Sequence, residues 1–205
     1  HRTMMRLFPD VERQDARQEL GVLYRLEQNR GGALRLLVQS LAPPEFARLP
    51  DGYFAEVPQS KKLDRVEDWI QLGRKLKFRI RANPTRAIDT KTRPDGTKSN
   101  GRRVELRGEE ACRAWINRKG EQHGFKVLAC RLDAGPPDPR CAQGKVEGRK
   151  GESLISIASV LFDGILEVTD AGLLVSALQT GIGRAKSYGQ GLLSIAVGQE
   201  ADVSQ

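Results

Sequence analysis

From Leu76 to Ala82 apolar and basic residues alternate one by one, the period of a strand with one buried face. Leu76, Phe78, Ile80 and Ala82 are expected in a core, and Lys77, Arg79 and Arg81 on the opposite face. Glu109 to Lys119 reads as a helix, with acids at its N-terminal end and Arg118-Lys119 at its C-terminal end, matching the helix dipole. Strand-like runs follow at Phe125–Leu132 and Ser153–Val168, the latter a hairpin about Asp163-Gly164 or one bulged strand. Asp170 caps a helix through Thr180 that carries Leu173, Leu174, Ala177 and Leu178 on one face, and Leu192–Val197 closes the chain as a strand.

The first half is patterned less strongly. Arg2 to Phe8, closed by Pro9, reads as a short helix, and Asp10–Glu19 as loop or a further helical turn. Val22–Glu27 and Leu34–Ser40 read as a hairpin joined by Asn29-Arg30-Gly31-Gly32. A helical piece from Pro43-Pro44 to Arg48 and a strand over Tyr53–Val57 complete that half, and a polar connector spans Pro58–Arg74. Pro84–Arg107 is predicted to be a long basic loop, and Gly135–Gly151 a Pro/Gly-rich basic hairpin tip.

The second half thus has the order β-α-β-β-α-β, and the first the same order without its initial strand. The expected class is α+β, with two tandem ferredoxin-like (RRM-like) domains over residues 1–72 and 73–205.

Composition changes the picture through charge. Among 205 residues, 39% are hydrophobic and 29% charged, an ordinary globular balance, but the net charge of +8 is uneven. Residues 76–150 hold 19 basic and 9 acidic side chains, whereas 151–205 hold 2 and 6. Such a footprint suits a polyanion partner, nucleic acid before an anionic membrane, because no basic amphipathic helix with an aromatic face is present. Cys112, Cys130 and Cys141 lack paired spacing, and His1 and His123 are the two histidines, so neither a disulfide framework nor a metal centre is expected. No small-molecule cofactor is implied. With no secretory leader and no apolar run beyond Leu154–Phe162, cytoplasmic residence is the expectation.

Gly181-Ile-Gly-Arg-Ala-Lys-Ser-Tyr-Gly-Gln-Gly191 packs four glycines and two cations between a helix and a strand. It fails the P-loop pattern, because Ala185 precedes Lys186-Ser187, and the dinucleotide fingerprint, because Lys186 stands at the third glycine position. Two readings remain open: a phosphate loop of Gly181, Gly183, Ser187, Gly189 and Gly191 with Arg184 and Lys186 supplying charge, or a glycine cap with tight helix-to-strand packing.

Phe78-Arg-Ile-Arg-Ala-Asn-Pro84, Arg103-Val104, Ala114-Trp115, Leu161-Phe-Asp-Gly164 and the run from Gly181 to Ser194 together resemble the CasE family, the repeat-RNA endoribonucleases of type I-E CRISPR Cascade complexes. The resemblance covers essentially the whole chain. It implies metal-independent cleavage of precursor CRISPR RNA at the base of a repeat hairpin through a 2′-hydroxyl, with the product retained and other Cascade subunits as partners. His1-Arg-Thr-Met-Met-Arg-Leu-Phe-Pro9 looks like the family's first helix, which begins at the catalytic histidine. The family carries about one strand and a turn before it. A terminal histidine alone suggests no role; the resemblance makes His1 the catalytic candidate.

Arg2 and Arg6, one helical turn apart, could hold the scissile phosphate. Lys77, Arg79 and Arg81 repeat at about 6.6 Å along a strand, comparable with phosphate spacing, and no acid shares their stretch. Lys91, Lys98, Arg102 and Arg103 extend the positive region, and Arg140, Lys145, Arg149 and Lys150 lie where the family uses a basic hairpin to engage the stem. His123 reads as a surface residue. Aromatics are 5% of the chain, so backbone and shape recognition of a stem fits better than base stacking. The alternative activity is a non-catalytic RNA-binding subunit of the same fold.

Overall fold

The computed structural model describes residues 2–9, 16–28, 32–88, 92, 94, 96, 101–133, 144–150 and 153–197. For Arg2, 144–150 and 153–156 it describes the backbone. His1, Lys91, Lys98, Arg140 and Cys141 lie outside the described residues.

The alternation at 76–82 is realised in β3 (Lys75–Ala82), where Leu76, Phe78, Ile80 and Ala82 are buried and Lys77 and Arg79 exposed. This strand forms the middle of an antiparallel sheet because it finds partners on both edges. One is β9 (Leu193–Val197) and the other β8 (Ser153–Val168), on whose far edge β6 (Phe125–Asp133) pairs. The sheet order is therefore β6-β8-β3-β9, with α3 (Glu109–Gln122) and α4 (Ala171–Thr180) as the connecting helices. Cys112, Trp115 and Ile116 of α3 and Leu174 and Ala177 of α4 pack on Phe78, Ile80, Phe162 and Leu166. The N-terminal acids of α3, Glu109 and Glu110, and Lys119 in its last turn follow the dipole.

β8 is one strand of sixteen residues, which settles the two readings of Asp163-Gly164. Gly164 does not turn the chain: a Cβ there would collide with the β6 backbone at Ala129 and with the Phe78 ring, so glycine admits a close approach. The β6 register shifts beside it, between Val127 and Ala129.

β7 (Gly144–Lys150) pairs antiparallel with the first part of β8, from Gly144 opposite Ser159 to Lys150 opposite Ser153, ahead of the stretch from Leu161 to Val168 that pairs with β6. Of the predicted hairpin tip at Gly135–Gly151, Gly144–Lys150 is therefore strand, and the remainder lies outside the described residues. The predicted loop at 84–107 is also corrected at both ends: β4 (Thr85–Ile88) and β5 (Arg102–Glu105) pair as a second hairpin.

The first half contains α1 (Arg2–Met5), α2 (Ala16–Glu19) and the hairpin of β1 (Leu23–Gln28) with β2 (Leu34–Gln39). Met4, Leu7, Phe8, Val22 and Leu49 form its own small core. Tyr53–Val57 is not a strand but bends and irregular backbone, in which Phe54 folds back to pack edge-on against Phe46 at 5.9 Å. Single-turn 3₁₀ segments stand at Phe46–Arg48 and Val66–Trp69.

Candidate nucleic-acid interface

The loop after α4 begins where Asp170 caps the helix by accepting from the Leu173 amide at 2.9 Å, and it leaves through Gly181. Gly181, Gly183, Gly189 and Gly191 all have positive φ, and Ala185 joins them in the left-handed region at φ 61°. The N–H groups of Gly181, Gly189 and Gly191 are taken up inside the protein. The amide of Gly181 donates to Ala177, that of Gly189 to Lys186 and that of Gly191 to Arg81, while Ile182 donates to the Gly191 carbonyl. A Cβ at Gly191 would stand 2.7 Å from the Ile182 carbonyl, and one at Gly181 2.9 Å from that of Gly191. Packing therefore explains Gly181, Gly189 and Gly191, and the phosphate-cradle reading of these three is revised.

The two cations of the loop are free of that role. Arg184 and Lys186 line a cavity of about 630 Å³ together with Gly183 and the edge of the buried Trp115. Arg86 and Arg103 enter it from the β4–β5 hairpin, and Arg118, Lys119 and His123 from the end of α3. Among the described residues no acidic side chain lines it. Lys119 bonds Gln122 at 2.8 Å, and among the described residues none of these seven basic groups forms an ion pair.

The crowding is felt in their proton affinities. Burial, then Arg118 and Arg103, lowers the Lys119 pKa. Burial, then Arg17 and Lys119, lowers that of Lys186. His123 is lowered by burial, then by Lys119 and Lys186, and is half-buried rather than a plain surface residue. A bound anion would relieve each of these repulsions.

The β3 cations are differently placed. Arg79 makes a two-pronged contact with Asp163, 2.6 and 3.1 Å, and approaches Glu27 at 3.6 Å. Asp163 is its register partner on β8, and Glu27 reaches over from β1, so the acid-free stretch is supplied with acids by its neighbours. Arg81 is half-buried, bonds Ser159 at 3.4 Å, and keeps a buried Nε without a partner among the described residues. Lys77, Arg102, Arg103, Arg6 and Arg184 are exposed. Lys145, Arg149 and Lys150 lie on β7, whose backbone alone is described, as is that of Arg2.

Arg86, Arg118, Lys119 and His123 were not among the sequence candidates. A signal existed for two of them, since Arg118-Lys119 ends an amphipathic helix, but the dipole accounted for it fully. Among the described residues no three His, Cys, Asp or Glu side chains gather to hold a metal ion. Nor is any described helix long and apolar enough to cross a membrane.

The chain is thus a mixed α/β protein with antiparallel sheets and a cavity lined by seven basic side chains. The chain belongs to the CRISPR associated protein family, which it matches over residues 1–197. It is 33% identical over 182 residues to the CRISPR-associated endoribonuclease Cse3 of Thermus thermophilus, covering 85% of this chain and 79% of that protein. It is 34% identical over 199 residues to the CRISPR system Cascade subunit CasE of Escherichia coli, covering 96% and 89%. Among solved structures it resembles CRISPR endoribonuclease Cse3 bound to a 19-nucleotide RNA, with TM-score 0.68, 30% identity and coverage of 96% and 88%. The Escherichia coli CRISPR-associated protein Cas6e matches at TM-score 0.58 and 26% identity, over 96% of this chain and 89% of that one.

Proposed function

We propose that this protein is an endoribonuclease that cleaves precursor CRISPR RNA at the base of its repeat hairpin, remains on the product and joins a Cascade complex in the cytoplasm. Membership of a family whose relatives are named as endoribonucleases and as a Cascade subunit supports the activity. One observation of the structure carries the RNA side: basic groups from three separate elements converge on a cavity with no acid among the described residues that line it. A phosphate backbone is the partner that neutralises such a cluster.

The reaction we assign needs no metal. The ribose 2′-hydroxyl attacks the adjacent phosphorus, the bond to the departing 5′-oxygen breaks, and a 2′,3′-cyclic phosphate and a 5′-hydroxyl result. One group must take the 2′-hydroxyl proton and one must protonate the leaving oxygen. His1 is our candidate for one of these transfers, because an imidazole titrates near working pH. Arg2 and Arg6 are our candidates for holding the scissile phosphate.

For the RNA stem we assign Arg184, Lys186 and Arg103 in the cavity, with Lys145, Arg149 and Lys150 on the arm. Lys77, Arg102, Lys91 and Lys98 extend the surface, while Arg79 and Arg81 contribute first to the protein's own sheet. The two halves, 1–72 and 73–205, are read as ferredoxin-like units; the order β6-β8-β3-β9 supports this for the second.

The test is single-turnover cleavage of a repeat hairpin in EDTA. His1→Ala should bind normally and cleave at least about 100-fold more slowly, general acid–base catalysis being worth ~10²–10⁴. Hairpin binding without cleavage by the native protein would favour the non-catalytic subunit.

A further inference from the structure

The glycine-rich loop is gripped by three successive residues of β1. Leu23 fills the space left by Gly181, where a Cβ would come within 2.9 Å of its methyl carbon. The Tyr24 hydroxyl donates to the Ser187 carbonyl at 2.6 Å, and its ring lies over Gly189, 3.0 Å from where a Cβ would be. Arg25, 2% exposed, donates to the Leu192 carbonyl at 2.9 Å and to Ser194 Oγ at 3.0 Å just beyond the loop.

The middle contact bears on Lys186. The 3₁₀ turn Lys186–Tyr188 is entered through left-handed Ala185 and left through left-handed Gly189, so its two ends are points at which the backbone can pivot. Lys186 also sits among like charges, with Lys119 facing it from α3 and Arg17 from α2, and with His123 beside them just after α3. Repulsion of that kind drives a flexible side chain outward unless its backbone is held. The bond to Ser187, the very next residue, is such a hold. Burial, then the Tyr188 phenol, raises the Tyr24 pKa, so the hydroxyl stays a donor.

We propose that Tyr24 is a positioning residue for RNA binding: by holding the Ser187 carbonyl it fixes the Lys186 turn so that the lysine stays in the cavity lining, ready to meet phosphate. This rests on the reading of the cavity as an RNA site. Tyr24 itself touches no RNA, and its effect passes wholly through Lys186.

A double-mutant cycle on the full chain tests it, with binding of a repeat-hairpin RNA measured over a salt series and thermal unfolding measured in parallel. Tyr24→Phe keeps the ring over Gly189 and should weaken binding by about 2- to 10-fold, as loss of one hydrogen bond allows. It should also reduce the slope of log affinity against log salt, as Lys186→Ala does. In the Lys186→Ala background Tyr24→Phe should have no further effect on affinity, while lowering the unfolding midpoint as much as it does alone. Native affinity for Tyr24→Phe, or an equal loss in both backgrounds, would overturn the positioning role. Native affinity and slope for Lys186→Ala would instead overturn the cavity reading, and with it this proposal.

Discussion

Two sets of cations that look alike in sequence are treated in opposite ways by the fold. On β3, Arg79 lies between Asp163 and Glu27, and Arg81 is drawn half inside the protein. Around the cavity, Arg86, Arg118, Lys119, Arg184 and Lys186 share a lining that has no acid among the described residues. Arg79 and Arg81 of the evenly spaced set are engaged in internal order, and the scattered set is the one we propose for a polyanion. Spacing along a strand counts for less than which side chains the neighbouring strands bring opposite it.

The largest effect expected on the committed side is at Arg25. It donates to the carbonyls of Leu192 and Arg79, to Ser194 and to Glu27, so truncation strands several buried acceptors. Arg25→Ala should cost about 3 kcal/mol of stability in denaturant unfolding, as breaking a buried charged network does. A loss confined to RNA affinity would move Arg25 into the other set.

On the available side, Lys186→Ala should weaken hairpin binding by about tenfold while changing stability by less than about 0.5 kcal/mol, the usual range for surface changes. Calorimetric unfolding beside a binding titration checks both halves of that statement. Arg79→Ala should show the reverse balance. Its carboxylate contacts are partly exposed and screened, so the expected stability loss is below about 1 kcal/mol, with little change in RNA affinity.

The smallest effect is that of pH at His123. Its folded pKa lies below the ordinary value, through burial first and then Lys119 and Lys186. As pH falls past about 6.5 the unfolded chain therefore takes up a proton before the folded one, and stability drops. The contribution is complete above the unfolded pKa and lost on acidification through the folded pKa. His123→Gln should flatten that part of the stability profile. RNA phosphate in the cavity should oppose the fall, so the RNA-bound protein should lose less on acidification than the free one.

The elements with clear periodicity were legible in the sequence. Alternation at 76–82 placed Phe78 and Ile80 in the core, and Asp170 marked the start of α4. Short elements were not: β4 and β5 hold four residues each, too few for a periodic signal, and each depends on the other for pairing. Tyr53–Val57 misled because its aromatics suit a strand, yet Phe54 is held by Phe46 and a local core. The glycine run was conspicuous but ambiguous, since φ and hydrogen-bond partners, not composition, decide between cradle and packing. For the cavity, Arg86, Lys119 and Lys186 are far apart in sequence and meet through the topology alone. His1 lies outside the described residues, so its role rests on the resemblance and the proposed chemistry.

Salt dependence of hairpin-RNA binding, compared between Lys186→Ala and the double variant Arg79→Ala/Arg81→Ala, tests the contrast most directly. Each phosphate that the protein no longer neutralises should reduce the slope of log affinity against log salt by about 0.7–0.9. That drop is expected for Lys186→Ala, and a native slope for the folded β3 double variant. A native slope for Lys186→Ala together with a reduced slope for the double variant would contradict the division of roles, and would return the RNA to the β3 face.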